Sequence, residues 1–102
     1  MTTLQQRLHP HPDVVDTELD GHETVLLHLE TTRYYSLNAT GTRIWKGLRQ
    51  GLSLQEISEG LQQEFVVQAD RADTSVLALA DELGRQHLVV SVDGGIVADR
   101  RT

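Results

Sequence analysis

The sequence predicts an α+β fold, a three-stranded antiparallel β-meander followed by three short helices. Three patterns carry that prediction. Apolar and polar residues alternate from Asp13 to Leu37, and polar turn clusters interrupt the alternation twice. From Asn38 onward, apolar residues recur at helical spacing instead.

In "DVVDTEL", Val15, Thr17 and Leu19 alternate with Asp16 and Glu18. "DGHE" supplies a hairpin turn, and "TVLLHLE" resumes a strand with Val25, Leu27 and Leu29 on one face and His28 on the other. A second turn, "ETTR", leads to "YYSL", where Tyr35 and Leu37 share one face and Tyr34 and Ser36 the other. Each strand pairs with its sequence neighbour, so this last strand is expected at an open edge. The pattern leaves open which tyrosine faces the core.

Asn38 can cap a first helix, "ATGTRIWKGLRQ", that Gly51 ends. Its apolar stripe is Ile44, Trp45 and Leu48, with Arg43, Lys46 and Arg49 on the wet side and the tryptophan as a core anchor. Ser53 and Glu56 fit a capping box, after which Leu54, Ile57, Leu61 and Phe65 repeat at helical spacing. A third helix from about Arg71 to His87 carries Ala72, Val76, Leu79, Ala80 and Leu83 on its apolar side. Both prolines lie in the first dozen residues, which read as a flexible arm, Met1 to Pro12. The domain proper is expected over residues 13–92. Residues 93–102 belong to a terminal hairpin or tail, with Asp93 to Gly95 as the turn of "HLVVSVDGGIVAD".

Composition narrows the chemistry. The 102 residues include no cysteine, which excludes disulfides, thiolate nucleophiles, zinc-cysteine sites and iron-sulfur clusters. No signal-peptide core or membrane-length apolar run is present, so a cytoplasmic protein is expected. Fifteen acidic residues against nine basic give a net charge of −6, which disfavours nucleic acid and anionic membrane as partners. Three helices and a terminal wing do resemble a winged helix-turn-helix, the pattern of a DNA-binding regulator. However, Asp70, Asp73, Asp81 and Glu82 outnumber Arg71 and Arg85 on the helix that would approach phosphates.

No catalytic constellation emerges. His9 and His11 form an H-x-H pair in the arm with no matching third ligand, Ser53 is occupied as a cap, and no phosphate-binding glycine loop exists. No metal or cofactor is expected. What remains is the open strand with its adjacent tyrosines, which offers unpaired amides and carbonyls to an extended peptide.

At "YYSLNATGTRIW", followed by "GLSLQEISEGLQQEF" and "ELGRQHLVV", the chain resembles the PqqD-like proteins, or RiPP recognition elements, over about Pro12 to Val92. The resemblance implies a non-catalytic protein that binds the leader of a ribosomally made precursor peptide along the third strand, beside the third helix. Carried over by residue, the strand side is Arg33, Tyr34, Tyr35, Ser36 and Leu37. The helix wall is Asp73, Val76, Leu77 and Ala80, with Arg71 and Gly84. Members serving pyrroloquinoline quinone synthesis carry a proline-glutamate-glycine run where this chain has "LETTRYYSL". The present version is more similar to stand-alone elements beside lasso-peptide leader peptidases, which are transglutaminase-like cysteine proteases; elements that serve radical SAM enzymes look similar. A monomer, or a weak dimer joined at the open edge, is expected.

Overall fold

The computed structural model describes residues 2–20 and 23–91. In chain order the elements are β1 (Leu8–Pro10), β2 (Val14–Leu19), β3 (Glu23–His28), β4 (Arg33–Leu37), α1 (Ala39–Arg49), α2 (Leu54–Phe65), α3 (Ala69–Arg85) and β5 (Val89–Ser91). Strands β2, β3 and β4 form the antiparallel meander in that order, and β1 pairs with β5 in a separate two-stranded sheet.

The helices cover one face of the meander. Leu26 and Leu37 pack from the sheet against Ile44, Trp45 and Leu48 of α1, Leu54, Ile57 and Leu61 of α2, and Val76, Ala80 and Leu83 of α3. Apolar residues occupy both parities of β3, so alternation alone did not choose its inner face. The helices select Thr24, Leu26 and His28, leaving Val25 and Leu27 half-buried on the outside. The inward polar side chains each make a hydrogen bond: Thr24 and Thr42 share a buried hydroxyl hydrogen bond at 3.0 Å, and His28 Nδ1 accepts from the Glu30 amide at 3.2 Å.

Local chemistry starts both capped helices as expected. The Asn38 side chain accepts from the Gly41 amide at 2.8 Å, and Ser53 and Glu56 form the reciprocal capping box. Helix α1 then ends at Gly51, whose φ of 84° suits glycine. Lys46 and Arg49 keep the solvated side expected of them and from there reach across to β2, pairing with Glu18 at 2.9 Å and Asp16 at 3.2 Å.

The expected flexible arm is corrected. Leu8 is buried in the core, and β1 pairs with β5 through Leu8↔Ser91, His9↔Val90 and Pro10↔Val89. The carbonyls of Gln6 and Leu4 accept from the Leu54 and Gln55 amides at 3.0 and 2.8 Å. Those are first-turn amides of α2, which have no partner within their own helix. A three-residue strand is too short to show periodicity, and a proline at its end is tolerated because the strand is at an edge. The described part of the expected wing, Val89–Ser91, therefore pairs with the N-terminal segment, and the Asp93 to Gly95 turn lies outside the described residues.

Candidate functional site

The register shows which main-chain groups of β4 are unpaired. The Leu29 amide donates to the Asp13 carbonyl at 2.8 Å, so residues 25, 27 and 29 turn their hydrogen-bonding groups toward β2. Thr24, Leu26 and His28 turn theirs toward β4, in agreement with the His28 carbonyl accepting from the Thr32 amide at 2.7 Å. Their partners are Leu37, Tyr35 and Arg33. By alternation, the N–H and C=O groups of Tyr34 and Ser36 point away from the sheet, and among the described residues no strand meets them.

The same alternation separates the two tyrosine rings. Tyr35 is half-buried and packs against the core, whereas Tyr34 stands on the outer sheet face at 73% exposure.

The sheet has a second edge, β2, which differs in chemistry. Its outward main-chain groups belong to Asp16 and Glu18, whose side chains are held by Trp45, Arg49 and Lys46 of α1. Fixed charges along an edge discourage strand addition. Tyr34 and Ser36 place no such charge on the β4 edge.

Beside β4 lies a cleft of ≈ 800 Å³. Tyr35, Ser36, Leu37 and Asn38 form its strand side, Thr40, Gly41 and Ile44 lie at the start of α1, and Ser75, Ala78, Leu79 and Glu82 form its α3 wall. Leu19, Glu23 and Val25 also line it. The walls thus combine apolar side chains with unpaired peptide groups, the combination that holds an extended peptide.

The cleft brings together the expected Tyr35, Ser36 and Leu37, while Arg33 and Tyr34 occupy the same strand without lining it. The α3 residues named from the sequence lie elsewhere. Val76 and Ala80 are 0% and 2% exposed in the core, Leu77 is half-buried against that core, and Asp73 accepts a hydrogen bond from Ser58 of α2. Gly84 is exposed away from the cleft, and Arg71 borders a smaller neighbouring cavity. Each helical residue advances about 100°, so an offset of one or two positions moves the wall to another face. Leu79, which sits at the border of the apolar stripe, was the available signal.

Burial raises the Tyr35 hydroxyl pKa above its ordinary value, and the nearby Glu82 carboxylate adds to the effect. Hydrogen bonds from Arg85 at 2.6 Å and Gln86 at 3.0 Å hold Glu82 below the usual carboxylate range. Glu82 therefore remains charged at neutral pH. Among the described residues, no group of three histidines or carboxylates is placed to hold a metal, and no helix is long and apolar enough to cross a membrane.

The family model described as coenzyme PQQ synthesis protein D (PqqD) matches residues 23–89. Two solved structures share the fold. TbiB1 in complex with the TbiA(beta) leader peptide is 31% identical with a TM-score of 0.75, covering 79% of this chain and 93% of that one. Lasso peptide synthetase B1 complexed with the leader peptide is 24% identical, also at 0.75, covering 82% and 98%. No curated protein matches the chain significantly.

Proposed function

Because the chain belongs to the PqqD family, we propose that it is a non-catalytic adaptor that captures the leader of a ribosomally made precursor peptide and presents it to a maturation enzyme. The leader adds as a strand to β4, with alternate side chains entering the cleft beside α3. The enzyme served is a leader peptidase of lasso-peptide maturation. The likeness to a leader-bound TbiB1 at 31% identity supports leader capture, and the choice of a lasso-peptide peptidase over a radical SAM partner rests on the "YYSLNATG" resemblance.

The observation that carries this reading is the outward pair of peptide groups at Tyr34 and Ser36, set on the margin of a cleft with both apolar and polar walls. Magnitudes assign each part its role. Four main-chain hydrogen bonds at about 0.5–1.5 kcal/mol each contribute roughly 2–6 kcal/mol. A micromolar complex needs about 8 kcal/mol. Side chains entering between Leu79, Ala78 and Ile44 must provide the remainder and the selectivity, because peptide groups are the same in every sequence.

The test is fluorescence anisotropy of a labelled synthetic leader titrated with the chain. Saturable binding that unlabelled leader competes away is expected. Absence of binding at high micromolar protein sinks the reading.

A further inference from the structure

The helices cover one face of the meander and leave the other bare. By register, Val15 of β2, Leu27 of β3 and Tyr34 of β4 stand side by side in one row across that bare face. Leu29 follows Leu27 along the same strand direction, its amide bonded to the Asp13 carbonyl. Val15 and Leu29 are 45% and 56% exposed, and Tyr34 more so. The next row, Thr17, Val25 and Ser36, also carries no charge. On a chain with a net charge of −6, these two rows form an uncharged surface that the leader edge does not explain, for none of Val15, Leu27, Leu29 and Tyr34 lines the cleft.

The first row is graded in size and so matches itself. Side chains grow from Val15 at β2 through Leu27 to Tyr34 at β4. A two-fold axis along β3 reverses that order in a second copy. The Tyr34 ring of each copy then covers the smaller Val15 of the other, Leu27 meets Leu27 and Leu29 meets Leu29. In the next row Thr17 meets Ser36, so hydroxyls rather than charges oppose each other. Two sheets packed about 10 Å apart with their strands aligned have this geometry. The contact is small. Three strands about 4.8 Å apart and six residues long span about 300 Å², well below the roughly 800 Å² per partner of a stable interface.

Independently of the leader-binding reading, we propose that the bare face of the meander joins two copies of this chain, sheet to sheet, about a two-fold axis along β3. The small contact makes the dimer reversible, with a dissociation constant on the order of 100 µM. The pairing leaves both β4 edges open. β2 of the second copy lies over β4, and β2 is itself the end of its sheet, so no strand of that sheet extends over the outward peptide groups of Tyr34 and Ser36. The dimer therefore presents two free edges on opposite sides.

Sedimentation velocity of the full chain from about 10 µM to about 1 mM tests the proposal. The average mass is expected to climb from one chain toward two. The climb should be steeper in about 0.5 M salt than in about 0.05 M, because salt screens the repulsion between two copies of like net charge. Leu29→Glu and Leu29→Lys each set like charges face to face on the axis, and each alone is expected to stay monomeric. An equal mixture of the two is expected to dimerise. A wild type that remains monomeric at about 1 mM, or a dimer of either charged variant alone, overturns the proposal. So does a mixture that stays monomeric, because the two-fold axis is what brings Leu29 against its own copy. Leader capture stands or falls separately, by the anisotropy titration. Should a Leu29 variant fail to fold by circular dichroism, Val15→Glu mixed with Tyr34→Lys, both at exposed positions that meet across the same axis, repeats the test.

Discussion

Trp45 Nε1 donates to the Asp16 carboxylate at 2.7 Å, fastening α1 to β2 through an indole that is otherwise buried in the core. Arg49 reaches the same carboxylate oxygen at 3.2 Å. One acidic residue therefore satisfies a buried donor and places a fixed charge along the β2 edge, leaving β4 as the edge suited to a partner. Asp16→Ala removes the acceptor that Trp45 and Arg49 share, leaving the buried indole N–H unpaired, and is expected to destabilise the fold by about 1–3 kcal/mol. Asp16→Asn keeps an acceptor and should cost less. Urea unfolding of the three proteins checks the order.

Proline distinguishes the two sides of β4. Ser36→Pro removes an outward N–H and is expected to weaken leader binding about tenfold or more with a small change in melting temperature. Tyr35→Pro removes an N–H that pairs with Leu26, so the main loss should appear in thermal stability. Anisotropy and thermal melts of both variants read the contrast, and equal effects of the two prolines contradict the register.

The α3 wall has its own test. Leu79→Asp puts a charge into the cleft from a half-exposed position, so leader affinity should fall about tenfold or more while the fold persists. Asp73→Ala removes the acceptor of the Ser58 hydroxyl between α2 and α3, and its effect should fall on stability. Measured affinities and urea midpoints should move in opposite patterns for the two variants.

Gly47 marks a close approach of α1 and α2. A Cβ at this position would meet Ile57 Cγ1 at 2.6 Å, which forces the Ile57 side chain or the helix to shift. Gly47→Ala is expected to lose about 1–3 kcal/mol despite alanine's better helix propensity. A melting temperature equal to or above the wild type's would refute the contact.

Acid should loosen the start of α2. The Ser53 amide, bonded to the Glu56 carboxylate at 2.9 Å, holds its pKa below the ordinary value. A carboxylate with a lowered folded pKa adds stability above its unfolded pKa and loses it as pH falls through the folded value. The loss therefore begins below about pH 4.3, the unfolded glutamate value. Glu56→Gln is expected to be less stable than the wild type at pH 7, with the gap narrowing by pH 3. Urea midpoints at the two pH values check the sign.

The strands from Val14 to Leu37, the Asn38 and Ser53 caps and the open β4 edge were legible in the chain alone, because each depends on neighbours a few residues apart. Alternation, turn chemistry and capping act at that range. The tertiary structure decided what depends on distant packing. It turned Leu26 inward in preference to Leu27, seated Leu8 against the core, and rotated α3 so that Leu79 and Glu82, rather than Val76 and Ala80, line the cleft. For β3 and α3 two apolar faces were available locally, and for Leu8 no local pattern existed at all; in each case burial against elements remote in sequence decided the outcome.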